Sequence, residues 1–206
     1  MNVVTIDFDI IMAPSIESYN ELCGMTNIGL LEQRCEILKY MPADLNIFMQ
    51  LTDFLIHTIQ SNKCKKVSFI KSHERMLQFL EQNQIEYCDL INIDHHHDIG
   101  YGKDTPNTEN LNCGNWVYIG CQKGLIDNYT WINNENSNTF LADYIVQKPK
   151  IISITESQQL LKKLESETDY LVLCASFEWV PTSIRPLFDV WKNIVESLCD
   201  IKVDFN

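Results

Sequence analysis

Leu90-Ile91-Asn92-Ile93-Asp94-His95-His96-His97-Asp98 joins a short apolar run to a dense set of acids and imidazoles. The apolar half has the length of a buried strand, and a buried strand that runs straight into ionisable side chains points its carboxyl end at a site. In an extended chain, side chains at i, i+2 and i+4 point the same way. Asp94, His96 and Asp98 are therefore expected to converge just past the strand, with His95 and His97 turned to the other side as packing or supporting groups. Carboxylate oxygen mixed with imidazole nitrogen suits Mn²⁺, Zn²⁺ or Fe²⁺ better than Ca²⁺, and a shared carboxylate can bridge two ions. A histidine run can also bind metal adventitiously at a surface; the flanking aspartates and the preceding strand favour a built site.

Outward from this stretch, strand-like and helix-like patterns alternate, which predicts an α/β domain: three αβα layers around a mostly parallel sheet. Strands are predicted at 2–7, 66–70, 90–94, 129–133, 151–154 and 170–175. Helical spacing marks 43–60, 74–82, 114–123, 138–147, 156–166 and 184–199. The Asn-rich run 133–138 reads as a loop before a helix, and 99–113, rich in Gly, Asn and Pro, as a longer loop.

The 206 residues contain no Pro/Gly/Ser-rich linker, so a single domain over 1–206 is expected. No apolar run approaches the roughly 18 to 20 residues that span a bilayer, and the N-terminus opens directly into a strand pattern. The eight cysteines include no Cys-x-x-Cys pair and several fall within apolar patterns, which suits reduced thiols in a cytoplasmic protein. A formal net charge of −12 disfavours nucleic acid as a partner and is compatible with a cationic substrate, although solubility alone also explains it.

In open α/β sheets, ligands bind beyond the carboxyl ends of the strands. Chemistry-bearing residues follow strands four times in this chain. Asp7 and Asp9 close the first, His73 follows Val67-Ser68-Phe69-Ile70, Asp94 to Asp98 follow the third, and Glu178 follows Tyr170-Leu171-Val172-Leu173-Cys174. Each has a plainer alternative. An Asp-x-Asp after a strand also serves as a turn or helix cap, a lone histidine is more often structural, and Glu178 before Pro181 can be an exposed turn residue.

Asp94-x-His96-x-Asp98, the earlier His73 and the Asp7-x-Asp9 strand end resemble the ureohydrolase family, the arginase and agmatinase relatives that hydrolyse guanidinium groups on a binuclear manganese centre. The resemblance implies two Mn²⁺ ions held by Asp7, Asp9, His73, Asp94, His96 and Asp98. In the family the Asp-x-Asp comes late in the chain. Here it stands at the N-terminus, which implies a permuted strand order; Ser176-Phe177-Glu178-Trp179 resembles a degenerate late motif. Glu178 is also similar to the glutamate that grips the substrate guanidinium, with Trp179 as a wall. The loop 111–116 resembles the place where arginases carry a proton-shuttling histidine, and here it holds none; Asn115 there could orient substrate, or simply cap a helix. The compact length looks most like a branch some of whose members act as peptide arginases.

The resemblance implies hydrolysis of an arginine side chain in a peptide to ornithine and urea, with Asp98 or a metal-bound water moving the proton. A deacetylase-like amidohydrolase, with Tyr101 beside the metal, is the alternative enzyme. The third reading is a metal-binding or metal-free α/β protein without turnover. The expected partners are an arginine-containing peptide substrate and a second copy in a homo-oligomer, but the sequence fixes neither the substrate beyond a guanidinium or amide group nor the oligomeric state.

Overall fold

The computed structural model describes residues 1–12, 42–101, 105–106, 108–145, 148–198 and 203–205. Seven strands form one sheet: β1 (Asn2–Asp7), β2 (Lys66–Ile70), β3 (Cys88–Ile93), β4 (Ile126–Asn133), β5 (Lys150–Ser153), β6 (Thr168–Cys174) and β7 (Val203–Phe205). Their order is β5-β4-β3-β1-β6-β2-β7, and every neighbouring pair is parallel. Among the described residues, five α-helices accompany them: α1 (Leu45–Gln60), α2 (Arg75–Gln82), α3 (Trp116–Gln122), α4 (Gln158–Leu164) and α5 (Pro186–Leu198). Asp44 starts α1 as its N-cap, accepting hydrogen bonds from the backbone of Asn46 and Ile47.

Alternate residues of each strand divide the core in two. Val4, Ile6, Ile91, Ile93, Leu171 and Leu173 face α1, α4 and α5, where Phe8, Phe48 and Phe188 surround Trp191. Val3, Leu90, Val172 and Trp131 face α2 and α3, meeting Met76, Leu77, Leu80, Trp116 and Val117. Apolar side chains cover both faces of the central strands, as an all-parallel sheet requires. The three-layer αβα arrangement expected from the alternating pattern is thus present.

Two features differ from the sequence reading. The short edge strand β7 was not expected; it pairs with β2. The helix predicted over 138–147 is not there among the described residues, 146–147 lying outside them. The segment is irregular, with a single turn closed by Ile145 N–H donating to the Ala142 carbonyl. Its apolar residues have helical spacing because Ala142 and Ile145 both reach the core, while Phe140 between loop and core is left exposed. Of the cysteines, Cys23, Cys35 and Cys199 lie outside the described residues, and Cys64, Cys88, Cys113, Cys121 and Cys174 are free thiols. Among the described residues, no helix is long and apolar enough to cross a membrane.

The central position of β1 decides where chemistry can occur. Its partners are β3 on one side, with Ile6 opposite Ile93, and β6 on the other, with Asp7 opposite Cys174. The chain leaves β1 for β2 on the β6 side, whereas β3 lies on the opposite side, so the connections diverge at the carboxyl end of β1. Such a switch point opens a crevice at the sheet edge.

Candidate metal centre

At that edge the six residues expected to hold metal come together. Asp7 Oδ2, Asp94 Oδ2 and Asp98 Oδ2 lie 3.1, 2.9 and 3.1 Å from His73 Nδ1. A second set lies beside it, with Asp9 Oδ2 at 3.1 Å and Asp94 Oδ1 at 3.7 Å from His96 Nδ1. Asp94 therefore gives one oxygen to each set. His73, Asp94 and Asp98 form one group of donor atoms with the spacing of a metal site, Asp9, Asp94 and His96 a second, and Asp7, His73 and Cys174 a third.

The way these side chains converge is not the strand alternation expected from spacing. β3 ends at Ile93, and 94–98 is a bent segment in which Asp98 adopts φ 53°. Left-handed backbone at Asp98 turns the chain back, so its carboxylate returns to the site while its carbonyl accepts a hydrogen bond from Val117 N–H in the first turn of α3. Asp9 likewise lies in a 3₁₀ turn, Phe8–Ile11, capped by Asp7 Oδ1 accepting from Asp9 N–H. Asp7 therefore caps with one oxygen and faces His73 with the other.

Supporting groups fix each donor. Thr5 Oγ1 lies 3.0 Å from His73 Nε2, which leaves Nδ1 for the carboxylates. Trp116 Nε1 donates to Asp98 Oδ2 at 2.6 Å, Ser176 Oγ donates to Asp7 Oδ2 at 2.6 Å, and Asn92 Nδ2 donates to Asp94 Oδ2 at 3.0 Å. Trp131 Nε1 donates to the Asp94 carbonyl, and the Tyr129 hydroxyl donates to the carbonyl of His97. Thr5 and Asn92 were missed in the sequence although the signal was available: each stands two residues before a site aspartate, on the same strand face. His95 and His97 are buried, as expected of packing residues; burial holds the former near pKa 3 and the latter near 4, so both are neutral.

Electrostatics favour a cation here. Asp7, Asp9, Asp94, Asp98 and His73 are all buried. Four carboxylates against two imidazoles leave two excess negative charges even when both rings are protonated, a costly state away from water. One Nδ1–H carries one proton and cannot satisfy three carboxylate oxygens at once. Among the described residues, buried Asp9 Oδ1 accepts no hydrogen bond. Burial pushes the Asp7 carboxyl well above its ordinary range, reinforced by Asp9; burial also raises Asp9, and burial with Asp94 brings Asp98 to about 7. Burial works against charge on His73, but Asp7 and Asp94 outweigh it and raise its pKa well above normal. Asp94 goes the other way: burial opposes its ionisation, yet His73 and His96 hold it well below the usual range. Divalent cations fit this donor set by charge, by hardness and by the sharing of Asp94.

Asp7, His73, His96 and Asp98 line a cavity of about 270 Å³, together with Tyr101, Asn112, Cys113, Gly114, Ser176 and Trp179. Trp179 and Tyr101 both stand beside the His96 ring, with centroids at 5.1 and 6.5 Å. The remaining expected site residues are placed differently. Asn115 does not line the cavity; its side-chain oxygen accepts from Asn112 N–H and its amide donates to the Asn110 carbonyl, so it shapes the loop before α3. Glu178 is exposed in the turn after β6 and is not among the lining residues, although its charge adds to burial and Asp98 in raising the Cys113 thiol's pKa. Ser176 and Trp179, on either side of it, are the residues of that turn that reach the cavity.

Removing the indole donor tests how far support matters. Trp116→Phe keeps an aromatic ring in the core and leaves Asp98 Oδ2 without its N–H, and metal affinity is expected to fall about 10- to 100-fold, read by calorimetric titration.

Comparison with known families, characterised proteins and solved structures finds no match to this chain.

Proposed function

We propose that this chain is a metal-dependent hydrolase of guanidinium groups, acting in the cytoplasm on arginine side chains of a peptide. The observation that carries this reading is the pair of donor sets that share Asp94, one oxygen to each. Asp7, His73, Asp94 and Asp98 would hold one ion, and Asp9, His96 and Asp94 the other; the resemblance to ureohydrolases favours manganese. Divalent ions bound there lower the pKa of water from about 15.7 towards about 7.

The chain's own residues supply the rest. Asp94 and Asp7 are locked by hydrogen bonds from Asn92 and Ser176, so the donor geometry is set before substrate arrives. Asp98 lines the cavity, where its carboxylate would take a proton from the attacking water and pass it to the leaving nitrogen. The water oxygen bonds to the guanidinium carbon, the bond from that carbon to the side-chain nitrogen breaks, both water protons end on that nitrogen, and urea and an alkylammonium leave. Trp179 offers an aromatic face to the planar cation, and Glu178 a carboxylate outside the lining. Asn115 keeps the loop in place and takes no part in the chemistry.

Urea release from an arginine peptide, free arginine and agmatine, with Mn²⁺ and with a chelator, tests the proposal. Urea from the peptide only when Mn²⁺ is present is the expected result; silence from all three substrates sinks it. Tyr101 in the cavity wall supports a second reading, hydrolysis of an amide such as an acylated lysine, and release of the acyl group from an acyl-lysine peptide would favour it.

A further inference from the structure

The donor atoms around His73 include one that the proposed function does not use. Cys174, the last residue of β6, groups with Asp7 and His73 at ligand spacing, all three donor atoms lying within 4.8 Å of one another. Register identifies which edge of the imidazole the thiol approaches. Thr5 pairs with Val172 and Asp7 pairs with Cys174 across β1 and β6. The Nε2 edge of His73 faces Thr5, and its Nδ1 edge faces Asp7. The sulfur therefore belongs to the Nδ1 edge, where the carboxylates gather. It lies 3.3 Å from Ser176 Oγ, the hydroxyl that donates to Asp7 Oδ2.

We propose that Cys174 supplies a sulfur ligand to the cation held by Asp7 and His73, making the two cation positions chemically unequal. The position at Asp9 and His96 has oxygen and nitrogen donors only, whereas the position at His73 gains a soft donor. Soft sulfur favours zinc, cobalt or iron over manganese, so the His73 position selects a thiophilic ion and the His96 position accepts a harder one. On coordination the S–H bond breaks, its proton passes to solvent, and the sulfur lone pair forms the bond to the metal. The inference rests on the two-cation reading and adds a ligand to it.

Cobalt is the probe, because a bound thiolate gives Co²⁺ an intense near-ultraviolet charge-transfer absorption that oxygen and nitrogen donors do not. Wild-type protein titrated with Co²⁺ is expected to develop this band with the first equivalent and to bind two ions in all. Cys174→Ser is expected to remove the band and to lower the ratio of Zn²⁺ to Mn²⁺ affinity at the first position at least tenfold, while still binding two ions. Cys174→Ala serves should the serine variant not fold. Cys113→Ser, which alters the thiol lining the cavity, is expected to keep the band. Two Co²⁺ bound by wild type without the band overturns the sulfur ligand and leaves the two-cation centre standing. A band lost with Cys113→Ser and kept with Cys174→Ser also overturns it. No Co²⁺ bound at all overturns both readings.

Discussion

Asp94→Ala is expected to lose both cations at once, whereas Asp9→Ala loses one. Elemental analysis of protein passed through a desalting column should read near zero and near one ion per chain for the two variants, against two for wild type. The contrast follows from geometry: among the described residues, Asp94 is the only carboxylate with one oxygen toward His73 and the other toward His96, while Asp9 faces His96 alone among the two rings. The turnover penalty for Asp94→Ala should be large, because the Lewis acid supplies several kcal/mol of transition-state stabilisation and each 1.36 kcal/mol is a factor of ten. A loss of about a thousandfold or more in kcat/KM for urea release is the expected figure. An Asp94→Ala protein that keeps two ions or near-normal turnover would show that the donor sets are independent and that the bridging role is wrong. Circular dichroism separates this outcome from misfolding. Asp94 lies beyond the end of β3 and the variant keeps the strand's apolar residues, Leu90, Ile91 and Ile93.

How much of this was legible in the sequence differs between strands and loops. The strands were readable because a parallel sheet covered on both faces demands near-continuous apolar runs, and Val67-Ser68-Phe69-Ile70 and Tyr170-Leu171-Val172-Leu173-Cys174 provide them. Site membership was readable for the same reason, since polar residues that follow such runs collect at one sheet edge. The path taken by those residues was not readable. Alternation predicted that Asp94, His96 and Asp98 would align along an extended chain, but the strand stops at Ile93 and left-handed backbone at Asp98 does the aligning. No residue type announces that turn, because Asp tolerates positive φ without requiring it. The segment 138–147 misled for a related reason. Helical spacing of Leu141, Ala142 and Ile145 records only that they reach the core, and a single turn with irregular flanks meets that demand as well as a helix does.

Strand order was the other quantity hidden from local patterns. Nothing near Asp7 indicates that β1 will sit between β3 and β6, yet that position is what brings Asp7 and Asp9 against His73 and His96. Asn115 and Glu178 stand in the motif positions of site residues, but hydrogen bonds to Asn110 and Asn112 occupy the first, and the turn after β6 leaves the second exposed. Proximity in sequence to a site residue sets where a backbone goes and not where its side chain points.

Metal should stabilise the folded protein strongly, and more so as pH rises. Binding to the native state alone adds RT ln(1 + [L]/Kd), about 4 kcal/mol at a thousandfold excess over Kd, which for a chain of this size corresponds to a Tm increase of roughly 8 to 16 °C. The sign of the pH effect follows from the groups at the site. Asp98 has its folded pKa raised to about 7, so the metal-free fold keeps a proton that the unfolded chain has released above about 4; its contribution to metal-free stability is present at low pH and is lost as pH rises through about 7. Asp7 and Asp9, also raised, act in the same direction. His73, raised well above 6.5, favours the metal-free fold below its unfolded pKa and loses that contribution as pH rises through its folded value. Asp94 is lowered, so its contribution is lost only in acid, below the window of interest. Metal needs these same groups without their protons, and protons therefore compete with it. Differential scanning fluorimetry between pH 5.5 and 8.5 should show the metal-free Tm falling and the increment from added Mn²⁺ growing across the range. An increment that is flat or shrinks with pH would mean that the ions bind somewhere other than among Asp7, Asp9, His73 and Asp98. Asp98→Asn provides the internal check, because an amide carries no competing proton: its Mn²⁺ increment should be smaller than wild type at pH 8.5 and should depend less on pH.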